Sequence, residues 1–166
     1  MKKKMKTTLY IMAIPVILMA CEAQQAADID TMPDYAVSEM IAKLPSNLNW
    51  SDLGLIPEVQ IAILSGDPSK EGHYVLRLKF PPETRMPAHW HPKVEYATIL
   101  SGRLNLGMGV EENPDSMKVF TAGSFLVVPP KMSHYGRSQD EVIIELSGPG
   151  PYEVVFVDDN DDPRIE

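Results

Sequence analysis

The 166-residue chain has one cysteine, Cys21, so no intramolecular disulfide can staple the fold. Basic residues are also scarce, at 15 against 23 acidic for a formal charge of −8. That balance argues against nucleic acid, whose phosphates would be repelled, and against a basic membrane-binding patch. Apolar runs are short. The stretch Leu9 to Ala20 is 12 residues long, whereas a bilayer-spanning helix needs about 20. There is no internal repeat, no second composition regime and no twin arginine.

What the N-terminal run does fit is the apolar core of an export signal, because it follows the lysine-rich start "MKKKMK". It ends in Leu18-Met19-Ala20-Cys21, which resembles a bacterial lipoprotein signal, with Met19 where a small or β-branched residue is usual. The resemblance implies a signal peptide over 1–20 and lipidation of Cys21. It also implies export of an unfolded chain to the periplasm or outer membrane, with membrane contact only through the anchor. Ordinary secretory cleavage, for instance after Ala23, is the alternative. Removing residues 1–20 takes four lysines and no acidic residue, leaving 11 basic against 23 acidic over 146 residues, a formal charge of −12. That length suits one domain with a substantial core. The polar segment over 21–34 reads as a tether, residues 35–157 as a single domain, and the acidic end 158–166 as a solvated tail.

Within the domain, "YAVSEMIAKL" (Tyr35 to Leu44) has apolar residues at helical spacing and a proline just beyond, which predicts a short N-terminal helix. The pattern then changes to short β-rich runs: "EVQIAIL", "HYVLRLKF", "VEYATIL", "RLNLGMGV", "MKVFTA", "SFLVVP", "EVIIELSG" and "YEVVFV". Turn signals such as "SGD", "SGR" and "ENPD" separate them, so an all-β sandwich or barrel is predicted. "SGPGPYEVV" reads as a turn entering the last strand.

The stretch "MPAHWHPKVEYATILSG", Met86 to Gly102, places His89, His91 and Glu95 together, and "GSFLVVPPKMSH" supplies Gly123, Pro129 and His134. In order and spacing these resemble the two motifs of the cupin superfamily, in its small single-domain type-2 form. Three positions depart from the pattern. Glu83 and Lys131 stand where glycines are expected, and Ser138 where an asparagine is expected. The resemblance covers about Val59 to Val157. It implies a double-stranded β-helix, also called a jelly-roll or cupin barrel, with His89, His91, Glu95 and His134 as metal ligands. It also implies a homodimer.

The residues by themselves agree with that site. Side chains two apart on a strand share a face, so His89 and His91 can grip one ion while Trp90 points away. Pro92 cannot extend a central ladder, which predicts a bend near Pro92-Lys93 and Glu95 at the start of the next strand. Three imidazoles and one carboxylate suit a divalent transition metal rather than Ca or Mg. Zn, Ni or Mn is preferred, with Fe or Cu also compatible, because an exported chain takes its ion outside the cytoplasm. Met86, Met108, Lys131 and Tyr135 are candidate pocket residues, the last two able to orient an anionic substrate or equally to lie at the surface, and Arg137 has the same two readings. Met132 is a gap-filling thioether beside the motif, and His73 stands apart as an ordinary histidine.

The cupin scaffold hosts dioxygenases, isomerases, lyases, sugar-binding modules and storage proteins, so fold alone does not assign activity. One expectation is a metalloenzyme of oxygenase, isomerase or lyase type acting on a small molecule, with Glu95 as base as well as ligand. The alternative is a non-catalytic metal- or small-ligand-binding envelope lipoprotein. An enclosed pocket beside the metal favours the first, and a shallow mouth the second.

Overall fold

The computed structural model describes residues 40–165. The expected signal peptide over 1–20, the expected lipidation of Cys21, the expected tether over 21–34 and residues 35–39 of the expected helix lie outside the described residues. The remaining part of that helix, Met40 to Leu44, is exposed and not helical. Leu44 is extended, with ψ of 150°, because the ring of Pro45 disfavours helical backbone in the residue before it. The first helical turn among the described residues is a 3-10 turn over Pro45–Asn47.

The regular structure after that is nearly all strand, arranged in two antiparallel sheets. The first sheet has the order β1 (Ser51–Asp52), β2 (Gln60–Ser65), β3 (Gly72–Phe80), β10 (Val142–Gly150), β5 (Glu95–Ser101), β8 (Phe125–Val128). The second has the order β11 (Val155–Phe156), β4 (Arg85–Trp90), β9 (His134–Ser138), β6 (Arg103–Met108), β7 (Lys118–Thr121). From β3 onward the chain repeatedly changes sheet, which wraps the two layers around a common interior. This is the expected jelly-roll barrel.

Alternation along the strands decides what fills it. In β3, Tyr74, Leu76, Leu78 and Phe80 point inward, and the residues between them are partly solvated. Across the ladder Leu76 faces Leu146, Leu78 faces Ile144 and Phe80 faces Val142. Ala97 and Ile99 of β5 and Leu104 and Leu106 of β6 complete the cluster from both layers. Burying a side chain of this size stabilises the fold by roughly 1.5–3 kcal/mol, so one continuous core holds the layers together without a disulfide. Glycine is required at the β5–β6 corner, where Gly102 alone joins the strands with φ of +78°.

Candidate metal centre

β4 does not follow a plain period of two. Its pairing with β9 slips between Met86, opposite Gly136, and His89, opposite His134, so three steps on one strand match two on the other. Pro87 sits in this bulge, where its missing N–H costs no ladder bond. The extra residue turns both Met86 and His89 toward the interior, although they are three apart. Glu112 braces the outside of the bulge. Its carboxylate accepts from the Ala88 N–H at 3.3 Å and from Arg85 Nε at 3.0 Å.

The chain bends at Pro92-Lys93, as predicted. Lys93 fastens the bend, its ammonium donating to the Gly150 carbonyl and to Glu71, the latter at 3.1 Å. His91 lies just past the end of β4, Glu95 opens β5, and His134 opens β9 directly opposite His89. The three imidazoles thereby meet, with ring centroids 4.3 Å apart for His89 and His134, 5.1 Å for His89 and His91, and 5.3 Å for His91 and His134. One nitrogen from each lies within 4.8 Å of the others.

Backbone carbonyls fix the orientation of every ring. His89 Nδ1 bonds Pro87 O at 2.6 Å, His91 Nδ1 bonds Glu153 O at 2.7 Å, and His134 Nδ1 bonds Met132 O at 3.1 Å. A carbonyl only accepts, so Nδ1 carries the proton and the Nε2 lone pair is free in all three. Glu95 approaches from the side of His91, with Oε2 3.5 Å from Nε2. That oxygen is buried and has no hydrogen-bond partner among the described residues. Ligands about 2.1 Å from one ion lie about 3 to 4 Å from one another, so the three histidine nitrogens suit a site for one transition metal. Glu95 stands outside that histidine group and approaches it at His91.

Burial governs the charges. It lowers His89 to about 3, with His134 and His91 adding to the effect, and it also lowers His91 and His134. Burial pushes Glu95 the other way, up to about 7. Without a cation the cluster therefore favours neutral groups. A divalent ion would reverse that preference at the carboxyl.

The four side chains line one part of a cavity of about 60 Å³ between the sheets. Met86 lines it as expected. Met108, Lys131 and Tyr135 do not. Met108 ends β6 and is 52% exposed. Lys131 sits in an exposed turn, where its backbone N–H donates to His91 O at 2.8 Å. Tyr135 follows His134 on the same strand and so projects from the opposite face. Its hydroxyl is 2.9 Å from Ser116 Oγ and 3.0 Å from the Asn113 N–H under the β6–β7 loop. Arg137 pairs with Glu83 at the surface, and His73 is exposed. Trp90 is partly buried and does not line the cavity.

One lining residue was not expected. Ser147 to Gly150 of "SGPGPYEVV" belong to β10 rather than to a turn, and Tyr152 enters the cavity wall beside the metal site. Its ring stacks on His91 at 5.5 Å and meets Tyr74 edge-on at 5.7 Å. An aromatic residue after a glycine-proline corner was the available signal, but nothing in the sequence gave the direction of its side chain.

Residues 76–146 match a family model described as a cupin domain, a range holding all four candidate ligands. The polyketide cyclase RemF from Streptomyces resistomycificus shares the fold at a TM-score of 0.61 and 16% identity, over 75% of this chain and 90% of that one. An RmlC-like cupin from Shewanella frigidimarina gives 0.53 and 15%, over 67% and 91%. KdgF from Halomonas sp. gives 0.51 and 18%, over 64% and 90%. At these identities the likeness is one of fold. No curated protein matches the chain. The family match and the shared architecture support the cupin superfamily.

Proposed function

We propose that this chain is an exported, metal-dependent cupin enzyme acting on a small molecule, with one divalent transition metal held by His89, His91, His134 and Glu95. The observation that carries the reading is the convergence of three buried imidazoles, each with Nδ1 engaged by a carbonyl, beside a buried carboxylate oxygen that has no hydrogen-bond partner among the described residues. When bound, the metal would supply a Lewis-acid or redox centre. The chain does the rest. Burial keeps the histidines neutral, so Nε2 offers a lone pair without losing a proton, and the carbonyls hold each ring in place. Beside a bound cation Glu95 would be ionised, and an ionised carboxylate at this position suits a base beside a bound substrate. The position of the cavity between the two sheets, beside these side chains, supports an enzyme over a surface binder. Zn, Ni or Mn is the proposed ion, on the ligand set and on export.

The test is elemental analysis of the soluble chain beginning at Glu22, beside His89→Ala and His134→Ala, with thermal melts in and out of chelator. The expected result is about one transition metal per chain, lost in both variants. Ligand at a hundredfold excess over its Kd stabilises a fold by about 2.7 kcal/mol, so chelator should lower Tm by several degrees. A folded chain that takes no metal and melts identically with chelator would sink the proposal.

A further inference from the structure

The cavity wall carries a message about what it receives. Among the described residues, apart from the four proposed ligands, Tyr152 is the only lining residue with a side-chain oxygen or nitrogen, and no lysine, arginine, serine, threonine, asparagine or glutamine reaches the wall. The polar residues that neighbour the motifs are committed elsewhere. Arg77 pairs with Glu145 at 2.9 Å, Arg137 pairs with Glu83, and Ser138 bonds Pro81 O and the Thr84 N–H. Lys131 and Tyr135 face away, as described above.

What remains is hydrocarbon from both sheets, such as Phe80, Ile99, Leu104 and Ile144, together with Leu55 and Ile56 from the β1–β2 connection. Leu55 and Ile56 are partly exposed, and the strand residues are buried. At about 60 Å³ the space has room for roughly four to six water-sized groups. A sugar or a dicarboxylate would lose its water there and find few or no partners for its hydroxyls or second charge. Each methylene placed there would gain instead.

We infer that the substrate is a small, largely hydrocarbon molecule with a single oxygen-donor head, the head lying at the histidine–glutamate cluster and the apolar body along the opposite wall. The flat face of Tyr152, stacked on His91, borders the head. This rests on the metal-site reading above and adds the substrate class to it. Polar small molecules are thereby excluded by the wall rather than by the ligands.

Alkyl hydroxamates test it, because their head chelates metal while the tail varies. The full chain is loaded with zinc, its metal content is measured first, and acetohydroxamate, propionohydroxamate and butyrohydroxamate are titrated by calorimetry. Two same-length competitors end in a hydroxyl (4-hydroxybutyrohydroxamate) or a carboxylate (succinate monohydroxamate). A buried methylene corresponds to roughly a fourfold change in Kd, so affinity should rise about fourfold per carbon. The polar-ended probes should bind at least tenfold more weakly than butyrohydroxamate. A flat series, or polar-ended probes binding as tightly, would overturn the inference while leaving the metal site intact. A chain that takes no zinc would overturn the site and the inference together.

Discussion

Glu95 is the residue whose protonation depends most on what lies beside it. In the metal-free fold its carboxyl is raised to about 7 by burial, from an ordinary value of 4.5. Between those values the fold keeps a proton that the unfolded chain has released. Its contribution to stability is thus present below the ordinary value and is lost as pH rises through about 7. His89 works in the opposite direction. Its folded value of about 3 lies below the ordinary 6.5, so acidification through that window disfavours the fold. A metal needs Glu95 ionised and the histidines neutral. Binding should therefore release close to one proton per ion at about pH 6 and almost none at about pH 8. Titration in buffers of different ionisation enthalpy measures this directly. Equal release at both pH values would show that Glu95 does not join the ion. The neighbouring departure from the motif, Ser138, has a plain structural role. It is fully buried, accepts from the Thr84 N–H at 2.8 Å and donates to Pro81 O at 2.5 Å, fastening the β3–β4 turn.

At the scale of elements, turns and one bulge aim the site. The two turn positions where the motif expects glycine keep the left-handed backbone that glycine favours. Glu83 has φ of +59° and Lys131 has φ of +62°. An L-residue there is strained by roughly 1–2 kcal/mol, offset in part by the greater freedom glycine has in the unfolded chain. Glu83→Gly and Lys131→Gly should each raise stability by about 0.5–1 kcal/mol, a few degrees in Tm, with metal content unchanged. Differential scanning calorimetry checks this, and a lower Tm in either variant would mean that the side chain outweighs the strain. Gly123, a motif glycine that is present, has φ of +88° and shows the same backbone demand met in the usual way. The Pro87 bulge has no counterpart in a pure alternation argument. The sequence did contain its mark, a proline inside a β-like run, but the resulting change of face follows from pairing with β9.

For the whole molecule, we propose export and anchoring through Cys21. A lysine-rich start, a 12-residue apolar run and Cys21 support them. Expressed in a bacterium that processes lipoproteins, the full chain should enter the detergent phase on Triton X-114 partitioning, and Cys21→Ala should remain in the aqueous phase. A parent chain found in the aqueous phase would favour secretory cleavage without lipid. An ion held by β4, β5 and β9 would also tie the two sheets to each other, which is why chelation should register as a loss of global stability.

The sequence by itself determined the all-β class, a sandwich or barrel, because alternation and turn residues act locally, and the barrel came with the resemblance of the two histidine motifs to the cupin superfamily. It also determined the spacing of His89, His91 and Glu95, since strand parity and the Pro92 bend are properties of neighbouring residues. Tertiary structure decided everything that depends on which strands meet. Pairing of β4 with β9 brought His134 opposite His89 and created the bulge. The face taken by each β9 residue put Tyr135 under the β6–β7 loop, away from the cavity, and His134 in the cavity wall. Closure of the barrel brought Tyr152 against His91 and left the wall almost wholly apolar. Local chemistry specifies a side chain and its parity. Which cavity it faces is set by partners distant in the chain, and only the folded pairing supplies them.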